Sequence, residues 1–258
     1  MIEQGSMPQE EFCIAVAQSA SVKGDIAENI RRHAEIVSCA ADHGAKLVLF
    51  PELSLTGYEP TIAAETAIEA NDPCLTVLQE LSDSREIAII AGAPIRSSAA
   101  KPFIGALTFR PRLPIEVYRK RFVHPDEFPW FIPSDDVAVY PCHGREVGVA
   151  ICADISNPIH PADTFQKGAT IYVASVAKTP EGVCKAEDTL ARYAREYKSP
   201  VAMANYACET GGFPTGGRSA VWDECGKVIV QAPESGEYLM IAKNSESGWE
   251  GQLIAIES

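Results

Sequence analysis

The chain has 258 residues, of which 46% are hydrophobic and 22% charged, a balance that excludes an intrinsically disordered protein. Its 22 basic and 35 acidic residues give a formal net charge of −13, which opposes binding to nucleic acid or to anionic membranes. No stretch approaches the roughly 18 apolar residues of a membrane span. No basic start precedes an apolar run at the N-terminus, so we expect a cytoplasmic protein.

The cysteines and the distribution of Pro, Gly and Ser indicate how the chain is organised. Its eight cysteines form no CxxC pair and no zinc spacing, which favours reduced thiols and no metal site. No linker rich in Pro, Gly or Ser divides the chain, so we expect a single domain over residues 11–258. Residues 1–10 are polar and are expected to be flexible. The second methionine, Met7, suggests that residues 1–6 are a cloning remnant.

Hydrophobic patterns predict strands and helices in alternation along the chain. A strand at 12–18, a helix from an Asp25 cap to Gly44 and a strand at 46–50 form a first unit typical of an α/β sheet. Further helical segments are predicted at 62–70, 73–84, 157–167 and 186–197. Further strands are predicted at 86–95, 104–109, 115–119, 137–140, 147–151, 169–175, 201–205, 219–222, 228–231 and 238–242.

Three charged or reactive side chains follow directly on predicted core strands. Glu52 comes after the strand at 46–50, Lys120 after 115–119, and Cys152 after 147–151. Taken singly, each has an ordinary interpretation as a buried thiol or a solvated charge. Strand ends in an open sheet gather at one rim, so the three side chains are expected to meet in one cleft. A thiol needs a base or a positive charge to become a nucleophile, and Glu52 and Lys120 supply both.

The segments around these residues resemble the signatures of a known family. They are Pro-Glu-Leu-Ser-Leu-Thr-Gly-Tyr at Glu52, Tyr-Arg-Lys at Lys120 and Gly-Val-Ala-Ile-Cys-Ala-Asp at Cys152. In order and spacing they closely resemble the nitrilase superfamily of carbon–nitrogen hydrolases, over residues 12 to about 243. Glu127 resembles a second glutamate that many members carry. The resemblance implies an α/β fold, a four-layered α-β-β-α sandwich with two mixed sheets between helices. Two such subunits would pair into an α-β-β-α-α-β-β-α homodimer or a higher homo-oligomer.

The resemblance also implies a reaction on a small-molecule amide. Glu52 would take the thiol proton as Cys152 attacks the amide carbon, and a thioester acyl-enzyme would form. Lys120 and the backbone N–H of Ala153 would stabilise the oxyanion, and Glu127 would position substrate or tune Lys120. No metal or organic cofactor is required. The family usually has an aromatic residue where this chain has Ala153, which favours an amidase acting on linear amides over a true nitrilase.

The loop at 121–133 mixes prolines with aromatic residues and is expected to be an ordered pocket wall. Tyr58, His124, Phe128 and Trp130 are predicted to line that pocket. The alternative is a core position for the three aromatic residues and a packing or surface role for His124. Two other activities stay open, an N-carbamoyl amidase and a nitrilase. A third alternative is a catalytically silent relative that serves as a binding or assembly module.

Overall fold

A computed structural model describes residues 11–256, which fold into two mixed sheets between helices. The predicted flexible segment at 1–10 lies outside the described residues. The described part contains four α-helices: α1 Ile26–Asp42, α2 Thr76–Arg85, α3 Ile159–Gln166 and α4 Pro180–Tyr197. Short 3-10 helices lie at Pro60–Ile62, Pro73–Leu75, Pro125–Glu127 and Cys152–Ser156.

Thirteen strands lie within residues 11–256. They are β1 Phe12–Gln18, β2 Leu47–Leu49, β3 Ala88–Ile95, β4 Phe103–Phe109, β5 Glu116–Arg119, β6 Ala138–Cys142, β7 Arg145–Ile151, β8 Ile171–Ser175, β9 Val201–Ala204, β10 Ala220–Trp222, β11 Val228–Gln231, β12 Tyr238–Ser245 and β13 Gly248–Ala255. One sheet has the order β13-β12-β1-β2-β3-β4-β5 and the other β11-β10-β9-β8-β7-β6. The central pairs β1–β2, β2–β3, β7–β8 and β8–β9 are parallel.

The strand pleat divides the apolar side chains between three layers of core. On β1, Phe12, Ile14 and Val16 face the second sheet, and the alternate residues face α1 and α2. On β7, Val147, Val149 and Ile151 face the first sheet. The opposite face of the second sheet packs on α3 and α4. This period-two division over strands buried on both sides produces the α-β-β-α sandwich, so the predicted fold class is confirmed.

Three local predictions differ from the structure. The predicted helix at 62–70 is wrong, because Ile68 pairs with Ile95 in a parallel bridge and its N–H binds Pro94. Helix α4 begins at Pro180 rather than at 186, since Thr179 caps it by accepting from the Gly182 N–H. Strand β13 was not predicted, because it is mostly exposed and lacks an apolar alternation; its ladder with β12 forms it instead.

Candidate functional site

Glu52 lies in a tight turn after β2, held against the neighbouring strand. Leu53 adopts a left-handed backbone with a φ of 55°, which turns the chain back over β3. Gly92 makes this approach possible, because a Cβ added there would lie 2.2 Å from the Leu53 nitrogen. The Tyr206 hydroxyl donates to the Glu52 carbonyl at 2.8 Å. The backbone that carries the carboxylate is therefore fixed on two sides.

Lys120 joins two carboxylates in the interior of the protein. Its Nζ lies 2.7 Å from Glu52 Oε1, and 2.7 and 2.8 Å from the two carboxylate oxygens of Glu127. The three side chains are almost fully buried. A buried ammonium held by two carboxylates satisfies its own charge and leaves one negative charge in excess when both acids are ionised. The structure thus brings together Glu52, Lys120 and Glu127.

Glu127 is oriented by donors from two other segments. The His124 N–H donates to its Oε2 at 2.7 Å, and the Tyr58 hydroxyl donates to its Oε1 at 2.8 Å. Glu127 ends the 3-10 helix Pro125–Glu127, whose rigid proline start fixes the direction of the side chain. These contacts hold Glu127 in the geometry that binds Lys120.

Cys152 begins the 3-10 helix Cys152–Ser156 directly after β7, as the strand pattern predicted. Its φ of 43° is left-handed, which is unusual for a residue with a side chain and is typical of functional turns. The residue is half-buried, with its thiol at the boundary of two core layers. Ala153 is the second residue of this 3-10 helix. Backbone N–H groups in the first turn of a helix have no intrahelical partner, so the Ala153 N–H is available to a ligand.

Asp154 connects the cysteine turn to the segment that carries Lys120. Its carboxylate accepts from the Ile151 N–H at 2.9 Å, the Phe122 N–H at 2.8 Å and the Tyr118 hydroxyl at 2.6 Å. The same hydroxyl lies 2.9 Å from His160 Nε2 on α3. Because Tyr118 and Phe122 flank Lys120, this buried network sets the position of Cys152 relative to the amine.

Electrostatics at the site favour a protonated thiol beside a base. Burial raises the pKa of Glu52 to about 7, against the lowering effect of Lys120. Burial, and next the Glu52 charge, raise the pKa of Cys152, and Lys178 and Lys120 oppose this. Burial lowers the pKa of Lys120, but the interactions with Glu52, Cys152 and Glu127 together outweigh it, so the pKa is raised and the amine stays charged. The arrangement therefore suits proton transfer from sulfur to carboxylate during attack rather than a resting thiolate.

Comparisons with known proteins identify the family of this chain. A family model described as carbon-nitrogen hydrolase matches residues 13–250. This chain belongs to the carbon–nitrogen hydrolase family. Among curated relatives, the glutamine-dependent NAD(+) synthetase of Thermotoga maritima is 27% identical over 238 residues, which cover 84% of this chain and 39% of that protein. Nitrilase 3 of Arabidopsis thaliana is 26% identical over 196 residues, covering 67% of this chain and 56% of that protein.

Solved structures share the fold of this carbon–nitrogen hydrolase. A variant of the amidase from Nesterenkonia sp. AN1, with the acetamide moiety of fluoroacetamide attached to its active-site cysteine, superposes with a TM-score of 0.83 at 21% identity. The match covers 94% of each chain. The chain spans about two fifths of the length of the NAD(+) synthetases it matches.

The predicted pocket residues of this family member divide into two groups. Tyr58 belongs to the buried site through its bond to Glu127. Phe128 and Trp130 are 50% and 40% exposed, so their rings lie on the surface of the loop. The His124 imidazole is also exposed, beside Asp126, and His124 reaches the site through its backbone.

Three further findings concern the described residues 11–256. They contain no group of three or more His, Cys, Asp or Glu side chains arranged to hold a metal ion. None of their helices has the length and apolar character needed to cross a bilayer. All eight cysteines are free thiols.

Proposed function

We propose that this carbon–nitrogen hydrolase cleaves the C–N bond of a linear amide through a thioester on Cys152. The observation that carries the proposal is the state of the Glu52 carboxylate. Its Oε1 is held by Lys120 at 2.7 Å, and its buried Oε2 has no hydrogen-bond partner within residues 11–256. A buried acceptor without a partner is costly, and a catalytic role explains why it is kept.

Acylation follows from this geometry. Glu52 takes the proton of Cys152 as sulfur attacks the amide carbon, and a C–S bond forms while the carbonyl electrons move to oxygen. The Lys120 ammonium and the Ala153 N–H stabilise that oxyanion. When the C–N bond breaks, Glu52 returns the proton to the leaving nitrogen, which departs as ammonia or an amine.

Deacylation uses the same groups with water as the nucleophile. Glu52 takes a proton from water as the oxygen attacks the thioester carbon. The C–S bond then breaks, the acid is released, and the proton returns to Cys152. Glu127 keeps Lys120 in place and supplies a second negative charge, which holds the amine in its ammonium form throughout.

Amide hydrolysis is favoured over the two other activities by the small residue after the nucleophile and by the relatives. Ala153 keeps the backbone donor but lacks the ring that the nitrilase resemblance implies. The names of the relatives mention glutamine, itself a primary amide, and the superposed structures are amidases. Nitrilases also match, so nitriles and N-carbamoyl amino acids belong in the test panel.

Ammonia release from a panel of primary amides, nitriles and N-carbamoyl amino acids tests the proposal. We expect release from amides by the wild type and none by Cys152→Ala. Cys184→Ala is the matched control, because that thiol is exposed on α4, and this variant should keep full activity. Release from nitriles with none from amides would contradict the proposal. Absence of turnover on the whole panel would favour the silent binding module instead.

We further propose that the protein forms a homodimer through the face of α3 and α4. Ile159, at the start of α3, is 52% exposed, so this face presents a large apolar side chain that a second subunit could cover. Small-angle scattering of the purified protein should give about twice the monomer mass. A monomer at micromolar concentration, or an unchanged dimer after Ile159→Glu, would contradict this interface.

A further inference from the structure

Lys178 lies at the same rim of the sheet as Cys152, although no signature segment includes it. Strand β8 runs parallel to β7, with Ser175 opposite Ile151, so the two strands end side by side. Cys152 follows β7 by one residue and Lys178 follows β8 by three. Ligands of α/β sheets bind at the carboxyl ends of the strands, so Lys178 belongs to the candidate site.

The loop that carries Lys178 is fixed by a buried amide. Asn205 is fully buried after β9 and accepts from the Lys178 N–H at 2.9 Å. Its Nδ2 donates to the Lys178 carbonyl at 3.2 Å, and the Gly216 N–H donates to the same carbonyl at 2.8 Å. The Cα of Lys178 therefore has a fixed position, which a specificity contact requires and a solvated surface lysine does not.

The ammonium of Lys178 has no ion pair and no hydrogen bond with any residue in the described range 11–256. Lys185, nearby on α4, differs because its Nζ contacts Glu181 at 2.7 Å. Lys178 is half-buried and lines a cavity of about 280 Å³ whose other walls are α4 and, on the side of the cysteine turn, Ile155 and Ser156; Cys152 itself does not line it. It also precedes the N-terminus of the 18-residue helix α4, whose dipole adds positive potential there.

The charge of Lys178 acts on both reacting groups. It opposes the burial that raises the pKa of Glu52, and it does the same at Cys152. Lys178 is a cation within electrostatic reach of the nucleophile, next to a helix N-terminus, and has no counter-ion among the residues that the structure describes. Such a group is suited to bind an anionic group of the substrate.

We propose that Lys178 binds a carboxylate of the substrate, which makes the substrate class a linear amide with a free carboxylate at the end remote from the scissile bond. This inference rests on the proposed amide hydrolysis at Cys152. It assigns Lys178 as the residue that separates carboxylate-bearing amides from neutral amides of the same length.

The test compares glutaramate with pentanamide, a neutral amide of equal chain length. The wild type should prefer glutaramate. In Lys178→Gln the ratio of the two kcat/KM values should fall at least tenfold toward pentanamide, through a higher KM for glutaramate. Loss of a charge near the thiol would change kcat for both amides by the same factor, so the ratio isolates binding of the carboxylate.

Two control variants complete the design. Lys178→Arg should keep most of the preference, because it retains the charge. Lys185→Gln, on the same cavity but already paired, should leave the ratio within twofold. An unchanged ratio in Lys178→Gln, with hydrolysis of both amides retained, would overturn the assignment of Lys178 alone. A wild type that hydrolyses neither amide would overturn the proposed function and this inference together.

Discussion

Lys120 donates to Glu52 Oε1 at 2.7 Å and thereby leaves Oε2 of the same carboxylate as a buried acceptor without a partner in the described part of the chain. One oxygen anchors the side chain and the other is available for a proton. The second carboxylate, Glu127, binds the same amine through both of its oxygens. This division separates a base from a positioning group, although both are glutamates in contact with one lysine.

The pH dependence of amide hydrolysis should follow the ionisation of Glu52. Burial raises the pKa of Glu52 to about 7, and only its ionised form accepts the thiol proton. We therefore expect kcat/KM to fall as the pH decreases through about 7, with a slope of one on a logarithmic plot. Initial rates of ammonia release between pH 5 and 9 measure this; an acid limb centred near the ordinary glutamate value would contradict the burial argument.

Replacement of the base should separate catalysis from thiol reactivity. Glu52→Gln removes the proton acceptor, so kcat should fall by about 10² to 10⁴. The same change removes the negative charge that raises the pKa of Cys152, and iodoacetamide should then alkylate this thiol faster at pH 8. Peptide mapping by mass spectrometry gives the rate of Cys152 alkylation in the variant and in the wild type, with the exposed Cys184 as the internal reference. Slower alkylation of Cys152 in this variant would contradict the prediction that the Glu52 charge raises the pKa of this thiol.

Replacement of Glu127 should lower kcat more than replacement of Tyr58, which orients Glu127. Glu127→Gln weakens the direct contact with the amine, and we expect a loss of about tenfold to a hundredfold in kcat. Tyr58→Phe removes one donor to Glu127 and leaves the His124 N–H in place, so its loss should be smaller, about threefold to tenfold. Steady-state kinetics on one amide rank the variants. The reverse order would mean that Tyr58 contacts substrate directly.

The network at Asp154 should matter for stability more than for chemistry. Asp154→Asn replaces one accepting oxygen by an NH2 group, which then faces the N–H of Ile151 or Phe122. Because two donors cannot bond, we expect a loss of about 3 kcal/mol in the free energy of unfolding. Tyr118→Phe removes one hydrogen bond and should lose about 1 kcal/mol. Urea unfolding followed by tyrosine and tryptophan fluorescence measures both. Equal, small losses would show that Asp154 is not the connection between the two segments.

Much of the fold follows from patterns that are local in the chain. Strands buried on both faces, such as β1 and β7, need continuous apolar residues, and that requirement is visible in the sequence. Strand β13 is formed by its ladder with β12, and Ile68 leaves its helical pattern to pair with β3. Such tertiary pairings override local preference, so no single segment reveals them.

The residues of the site were likewise predictable only in part. The strand-end rule located Glu52 and Lys120, whose contact the structure contains, but the same rule applied to β8 would also have indicated Lys178. Tyr206 and Asp154 could not be predicted, because their roles depend on which backbone groups approach them after folding. Phe128 and Trp130 were placed in the pocket by residue type alone, and residue type does not determine which side of a loop faces solvent.

Acid-quenched mass spectrometry during turnover of a small primary amide tests the central claim most directly. We predict a mass increase equal to the acyl group on the peptide that contains Cys152, present in the wild type and absent in Cys152→Ala. Because Glu52 is the base of both acylation and deacylation, its protonation at low pH should slow formation and hydrolysis of the adduct alike. Turnover of the amide with no adduct on Cys152 at any pH, or ammonia release by Cys152→Ala at the wild-type rate, would contradict the account.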